Sequence, residues 1–295
     1  MARTRLFICL MNLNWCILNV DIFNIIFFPK FCQKSAKIVS FSIIIIPMSA
    51  NSQSQSTPKS IQLRNTQIPT TDPSAGLKLT EIFYSLQGEA LAMGLPTIFI
   101  RLTGCPLRCV YCDTTYSFTG GERWGLDTIL EHIKEYPCKR ICLTGGEPLA
   151  QPNAIALMKL LLDNGYEISL ETAGALSVKD VPIAVSKVMD LKSPSSGEVG
   201  KNLWENLDYL TPHDQIKIVI ADRADYDWAK GVLQKYELDK KCGVVWFSPM
   251  FNIDERKSDV PNLAVELAEW ILADGLPVRF QLQLHKIIWA DAKGK

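Results

Sequence analysis

Three cysteines, Cys105, Cys109 and Cys112, follow one another at Cys-x3-Cys-x2-Cys spacing, directly after a β-branched and aromatic run from Thr97 to Leu102. A strand that delivers three thiols onto one loop must hold that loop open toward a common centre. A structural zinc site closes with four ligands, and an ordinary cubane iron–sulfur cluster takes four cysteines. The local sequence supplies only three. This leaves a zinc site completed by a distant His or Cys, or a cluster with one iron left open for another molecule. Tyr111 immediately precedes the last cysteine.

The rest of the chain reads as strands alternating with helices or crossovers. Strand-like runs lie at Leu79–Leu86, Thr97–Leu102, Arg140–Leu143, Glu167–Glu171, Ala184–Leu191, Gln215–Ile220, Val244–Phe247 and Arg279–Leu284. Apolar residues at helical spacing mark Leu126–Tyr136, Ala154–Asn164, Ala224–Tyr236 and Asn262–Ala273. Alternation of this kind predicts a parallel α/β sheet. Glycines and charged residues recur at or near successive strand ends (Cys105, Gly145–Glu147, Glu171–Thr172, Asp190–Lys192, Lys217 and Ser248). In α/β barrels those ends build the site, so the expected fold is a partial, barrel-like βα sheet.

Composition narrows the class. The chain has 295 residues, 47% hydrophobic and 21% charged, which suffices for a substantial core. Its formal net charge of +0 supplies no global basic field for nucleic acid. The nine cysteines fall in groups unlike a secreted disulfide framework. Thiolate ligands suit a reducing compartment, and a cytoplasmic location is expected.

Residues 1–47 differ from the rest of the chain. They are rich in Ile, Phe, Asn and Lys, and polar residues break the first apolar stretch below the ~18 needed to span a membrane. The segment reads as an over-extended gene start or a targeting extension, with Met48 the preferred initiator. The intact mass of the natively expressed protein would test this, because a species retaining residues 1–47 refutes it. Residues 48–76 read as a polar, disordered leader, and residues 77–295 as the catalytic domain.

Thr144-Gly145-Gly146-Glu147-Pro148 ends a strand with two glycines, which let a ligand approach the backbone. Glu147 offers a carboxylate to an ammonium group. Arg101 is suited to grip a carboxylate bidentately. Set behind the cysteine loop, the glycine motif resembles the Gly-Gly-Glu element of the radical S-adenosylmethionine (SAM) superfamily, in which three cysteines hold a [4Fe-4S] cluster and SAM occupies the fourth iron. That resemblance implies a partial TIM-like barrel of the radical SAM type.

A longer string is more specific. Glu81-Ile-Phe-Tyr-Ser-Leu-Gln-Gly-Glu89, Gly94-Leu-Pro96, Phe99-Ile-Arg-Leu-Thr-Gly-Cys105, Cys112-Asp-Thr-Thr-Tyr116 and the ending Gln281-Leu-Gln-Leu-His-Lys-Ile-Ile-Trp289 resemble the 7-carboxy-7-deazaguanine synthase family. The resemblance implies a carbon–nitrogen lyase of queuosine and 7-deazapurine biosynthesis. Such enzymes convert 6-carboxy-5,6,7,8-tetrahydropterin to 7-carboxy-7-deazaguanine with loss of ammonia. By resemblance, Cys105, Cys109 and Cys112 carry the [4Fe-4S] cluster and Thr114 ligates Mg2+. Leu86, Gln87, Gly88, Arg101, Thr144 and His285 meet the pterin. Gly146, Glu147, Asp190, Leu191, Lys192, Ser248, Pro249, Met250 and Phe251 line SAM. The same resemblance implies a flavodoxin or ferredoxin as electron donor and a homodimer, with no nucleic-acid or membrane partner. Two departures stand out. Ala90 replaces a glycine, and the tail after Trp289 differs from family endings that help close the site. The competing enzyme reading is another radical SAM protein, such as a glycyl-radical activase, and the non-enzyme reading is a zinc-binding module.

Overall fold

The computed structural model describes residues 76–250, 262–290 and 292–295. The expectations for residues 1–47, for the leader up to residue 75 and for Phe251 lie outside them. The described residues belong to one compact unit, Gln55–Lys295.

The chain opens with β1 (Gly76–Leu86) and β2 (Pro96–Leu102), then β3 (Glu122–Gly125), α1 (Leu126–Ile133), β4 (Arg140–Gly145) and α2 (Ala154–Asp163). It continues through β5 (Glu167–Thr172), β6 (Ser186–Leu191), β7 (Gln215–Ile220), α3 (Arg223–Tyr236), α4 (Leu238–Lys241) and β8 (Val244–Pro249). It closes with α5 (Leu263–Asp274), β9 (Arg279–Phe280) and α6 (Leu284–Trp289). Among the described residues the strands form one open nine-stranded sheet in the order β3-β1-β2-β4-β5-β6-β7-β8-β9. From β2 to β9 every pairing is parallel. This is the partial βα barrel expected from the alternation.

The first three strands differ, because β1 runs antiparallel to both β2 and β3. The connection from Leu86 to Pro96 is too short for a parallel crossover, which takes a dozen or more residues. It folds instead into a hairpin turn, with Gln87 N–H donating to Leu95 O and Gly94 N–H to Gln87 O. The short β3 carries little β-branched character and gave no strand signal. At the other edge the expected strand over Arg279–Leu284 shrinks to two residues. Beyond Phe280 the chain turns toward the Gln87-Gly88-Glu89 corner. There Gln281 accepts from Ala90 N–H at 2.6 Å, Gln283 donates to Glu89 at 2.8 Å, and Leu284 N–H bonds Gly88 O at 3.0 Å.

Side chains alternate across the sheet with period two. Ile98, Ile100, Ile141, Leu143, Ile168 and Leu170 pack with Ile129 and Ile133 of α1 and Leu157 and Leu161 of α2 in one apolar cluster. Met189, Leu191, Ile216, Ile218 and Ile220 pack with Tyr226, Ala229 and Leu233 of α3 and Leu267 of α5 in a second. Each Ile, Leu or Met among them contributes roughly 1.5–3 kcal/mol on full burial. The intervening positions face the other way, into a cavity. They are Arg101, Cys142, Thr144, Glu171, Asp190 and Lys217. The charge pattern of these strands is therefore the inner half of the alternation. No helix among the described residues is long and apolar enough to cross a membrane.

Candidate active site

A cavity of about 830 Å³ opens on the inner face of the sheet, and Cys105, Cys109 and Cys112 line it. The loop that carries them is braced at several points. Gly104 N–H donates to Ser117 O, Val110 N–H to Ser196 O, and Arg108 N–H to the Glu198 carboxylate. All three thiols are free and half-buried. Burial pushes the Cys105 and Cys109 thiols up, while Lys192 opposes the shift. A bound metal centre would reverse this and hold them as thiolates.

The site fits an iron–sulfur cluster better than a single ion. Among the described residues, no three His, Cys, Asp or Glu side chains converge tightly enough to hold one metal ion. The donor set is three thiols around a cavity mouth, with no local fourth. Glycine backbone lies beside it: a Cβ on Gly146 would stand 2.2 Å from Gly104 O and 2.8 Å from Cys105 Cβ. Gly146→Ala must therefore displace the cysteine loop, at a cost of about 1–3 kcal/mol for overpacking. Iron bound per chain after reconstitution should fall several-fold, and unchanged loading would refute this account of the glycine.

Arg101 stands opposite Glu81 in the β1–β2 ladder. Its Nε donates to Glu81 Oε1 at 2.7 Å, and Tyr116 Oη donates to the same oxygen at 2.8 Å. The guanidinium carbon lies 5.8 Å from the centroids of both the Phe83 and Tyr116 rings. Phe83 stacks on Phe99 at 4.7 Å. Arg101 is thus clamped through one nitrogen and oriented by two rings. Lys293 of the C-terminal tail places its ammonium 4.4 Å from the Tyr116 ring, so this chain's divergent ending also lines the cavity.

The Gln87-Gly88-Glu89 corner forms another wall. Gly88 lies tight against the ring of His285: a Cβ there would stand 2.1 Å from His285 Nδ1, so any other residue must displace that ring. Burial lowers the His285 pKa, which keeps the ring neutral near pH 7. Glu89 bonds Lys217 at 2.6 Å, and Lys217 also lies 3.5 Å from Asp190 and 4.0 Å from Glu171. Asp190 pairs with Lys192 at 3.2 Å and leaves its Oδ1 buried and unpartnered.

Most of the expected site residues share this cavity. Leu86, Gln87, Gly88, Arg101, Thr114, Thr144, Gly146, Asp190, Lys192, Ser248, Pro249, Met250 and His285 all line it. Two do not. Leu191 takes the helix-facing register of β6 and sits in the apolar core, 1% exposed. Glu147 is fully buried behind Gly146. Its carboxylate accepts from Leu149 N–H, Ala173 N–H and the Thr172 hydroxyl, so it pins two loops. Burial raises its pKa against those bonds. Glu171 and Lys217 were read as strand-end residues without a role, and Glu81, Glu89, Tyr116 and Gln283 were given no site role at all. The signal that points to four of the six is a polar side chain on the inner register of a strand or at its adjoining corner.

A barrel wall of parallel strands with a three-cysteine loop after β2 and a Gly-Gly-Glu turn after β4 defines a radical SAM enzyme. The sequence profile of the Radical SAM superfamily matches residues 99–187, and the chain uses the [4Fe-4S] cluster and SAM of that class. Among its relatives, the 7-carboxy-7-deazaguanine synthase of Koribacter versatilis is 44% identical over 225 residues, covering 74% of this chain and 100% of the relative. That of Chlorobaculum tepidum is 41% identical over 75% of this chain and 98% of the relative. The chain belongs to the 7-carboxy-7-deazaguanine synthase family. The crystal structure of QueE from Escherichia coli has the same fold, with a TM-score of 0.58 at 23% identity over 71% of this chain and 95% of that one.

Proposed function

We propose that this chain converts 6-carboxy-5,6,7,8-tetrahydropterin to 7-carboxy-7-deazaguanine and ammonia, the reaction its family resemblance implies. The observation that carries the reading is Arg101. Its guanidinium is held by Glu81 and oriented by Phe83 and Tyr116, within the same cavity as the three thiols. The carboxylate of a small bicyclic substrate meets there a rigid bidentate donor.

Cys105, Cys109 and Cys112 would hold the cluster, and Gly146, Asp190, Lys192, Ser248, Pro249 and Met250, which line the same cavity, would take SAM. Cluster and SAM bound there would supply the radical chemistry. The protein's residues bind, orient and exclude water. Arg101 takes the substrate carboxylate. The Gln87–Gly88 backbone and Thr144 meet the ring, and neutral His285 covers it. The apolar floor of Phe83, Phe99 and Cys142 keeps water from the reacting centre. Thr114 offers one hydroxyl oxygen to Mg2+. Among the described residues no carboxylate cluster would cage that ion, so water and substrate oxygens would supply its other ligands. A flavodoxin or ferredoxin provides the electron, and the working unit is a homodimer.

Anaerobic turnover tests the reading. The reconstituted protein is given SAM, Mg2+, dithionite and 6-carboxytetrahydropterin. Expected is 7-carboxy-7-deazaguanine by mass spectrometry with no net consumption of SAM. SAM cleavage without that product would overturn the substrate assignment.

A further inference from the structure

The inner face of the sheet gathers more carboxyl groups than it has cations to balance. Glu89 comes from the corner after β1, Glu171 from β5 and Asp190 from β6. The facing cations are Lys217 on β7 and Lys192 just past β6. Cys142 on β4 also faces the group, its thiol pushed up to about 12 by burial and by Glu171.

The partners are unequally shared. Glu89 takes the 2.6 Å contact with Lys217 and a 2.8 Å bond from Gln283. Those contacts outweigh its burial and hold it down to about 2. Asp190 lies opposite Lys217 in the β6–β7 ladder and sits between both lysines, at 3.5 and 3.2 Å. Two cations are thereby matched by two carboxylates. Glu171 has only the far side of Lys217, at 4.0 Å. Burial, with Glu89 and Asp190 as like-charged neighbours, pushes it up to about 7. Its side chain lines the cavity. A carboxyl poised in this way is present in both acid and base forms near pH 7, where general acid–base catalysis is most effective.

We propose that Glu171 is the catalytic acid–base group that hands a proton to the departing amino group during ammonia loss and takes one back from the adjoining ring carbon. The inference rests on the pterin reading above. As the C–N bond breaks, its electron pair leaves with the nitrogen, which gains the Glu171 proton. The carboxylate so formed accepts the proton of the neighbouring C–H bond, whose electrons become the new ring double bond. Substrate minus ammonia equals product, so no oxidant or reductant is consumed. Cys142, held as a thiol, cannot serve as the base, and Glu89 is locked as a carboxylate by Lys217.

The test separates hydrogen transfer from ammonia loss in the cluster-loaded enzyme. Deuterium passed from C6-deuterated substrate into SAM reports the first, and ammonia and 7-carboxy-7-deazaguanine report the second. Glu171→Gln should keep deuterium transfer within about threefold and slow ammonia release roughly 100-fold. Glu171→Asp, which keeps a carboxyl, should restore much of the release. Wild-type release should fall as pH rises through about 7, as the acid form is lost, and the glutamine variant should not show that fall. A glutamine variant that releases ammonia at the wild-type rate overturns the proposal. So does one in which both readouts drop together, which would make Glu171 a binding residue only. If the variant does not retain its cluster, the wild-type profile decides, and a flat profile from about pH 6 to about pH 8 overturns the proposal. Wild-type enzyme that passes no deuterium to SAM refutes the pterin reading itself.

Discussion

Cys105→Ala is expected to abolish the cluster absorbance and all SAM cleavage while leaving the fold intact. In the proposed assignment the three thiols are the whole protein donor set, so removing one would leave two ligands for a centre that takes three from the chain. The side chain is half-buried at the cavity mouth and makes no packing contribution comparable to a core residue. Far-UV circular dichroism should match wild type, and iron and sulfide should fall to background. Cys142→Ala is the control. That thiol is 1% exposed beside Phe83 and Phe99, and its loss should leave the cluster in place. A Cys105→Ala protein that still reconstituted a stable cluster would refute the ligand assignment. Loss of the cluster in both variants would instead point to general unfolding.

Asp214→Ala should cost about 3–5 kcal/mol of stability, the usual penalty for orphaning one member of a buried ion pair. Asp214 is fully buried, and its partner Lys187 is 2% exposed. Asp214 Oδ2 lies 2.9 Å from the Lys187 ammonium. It also accepts from Thr211 N–H and the Thr211 hydroxyl, while Oδ1 accepts from Lys187 N–H. One carboxylate thus ties the start of β6 to the turn that enters β7. Removing it strands an ammonium in the core and frees three other donors. Against a typical net stability of about 5–15 kcal/mol, such a loss is large. Breaking the exposed pair Lys241–Asp208, where the aspartate is 75% exposed, should cost no more than about 1 kcal/mol. Urea unfolding of both variants checks the contrast. A shift below about 1 kcal/mol for Asp214→Ala would mean that water reaches Lys187 in the native state.

The alternation of strands and helices, the cysteine loop and the Gly-Gly-Glu turn were legible along the chain, because each is written within a few neighbouring residues. The antiparallel start of the sheet was less so. It came from the short link between Leu86 and Pro96, a length argument that the β-rich runs on either side obscured. The last strand was overread because Gln281, Gln283 and Leu284 leave the sheet to bond residues some two hundred positions earlier. No local pattern records that competition.

Residue chemistry and close spacing, which need no knowledge of folding, picked out the three-cysteine loop, the Gly-Gly-Glu turn and an arginine suited to a carboxylate, and the family resemblance those strings carry implied the reaction class. Register and burial belonged to the tertiary structure alone. Leu191 and Asp190 are adjacent in sequence, yet strand alternation sends the first into the core and the second into the cavity. Glu147 looked available to a ligand, but burial turned its carboxylate onto Leu149, Thr172 and Ala173. The Glu89–Lys217 contact joins residues 128 apart, and Glu171 is raised toward neutrality only because the corner after β1, β5 and β6 bring three carboxyls to the one lysine of β7. Electrostatic environment depends on distances of a few ångströms between residues remote in sequence, so only the folded chain determines which acid keeps its proton.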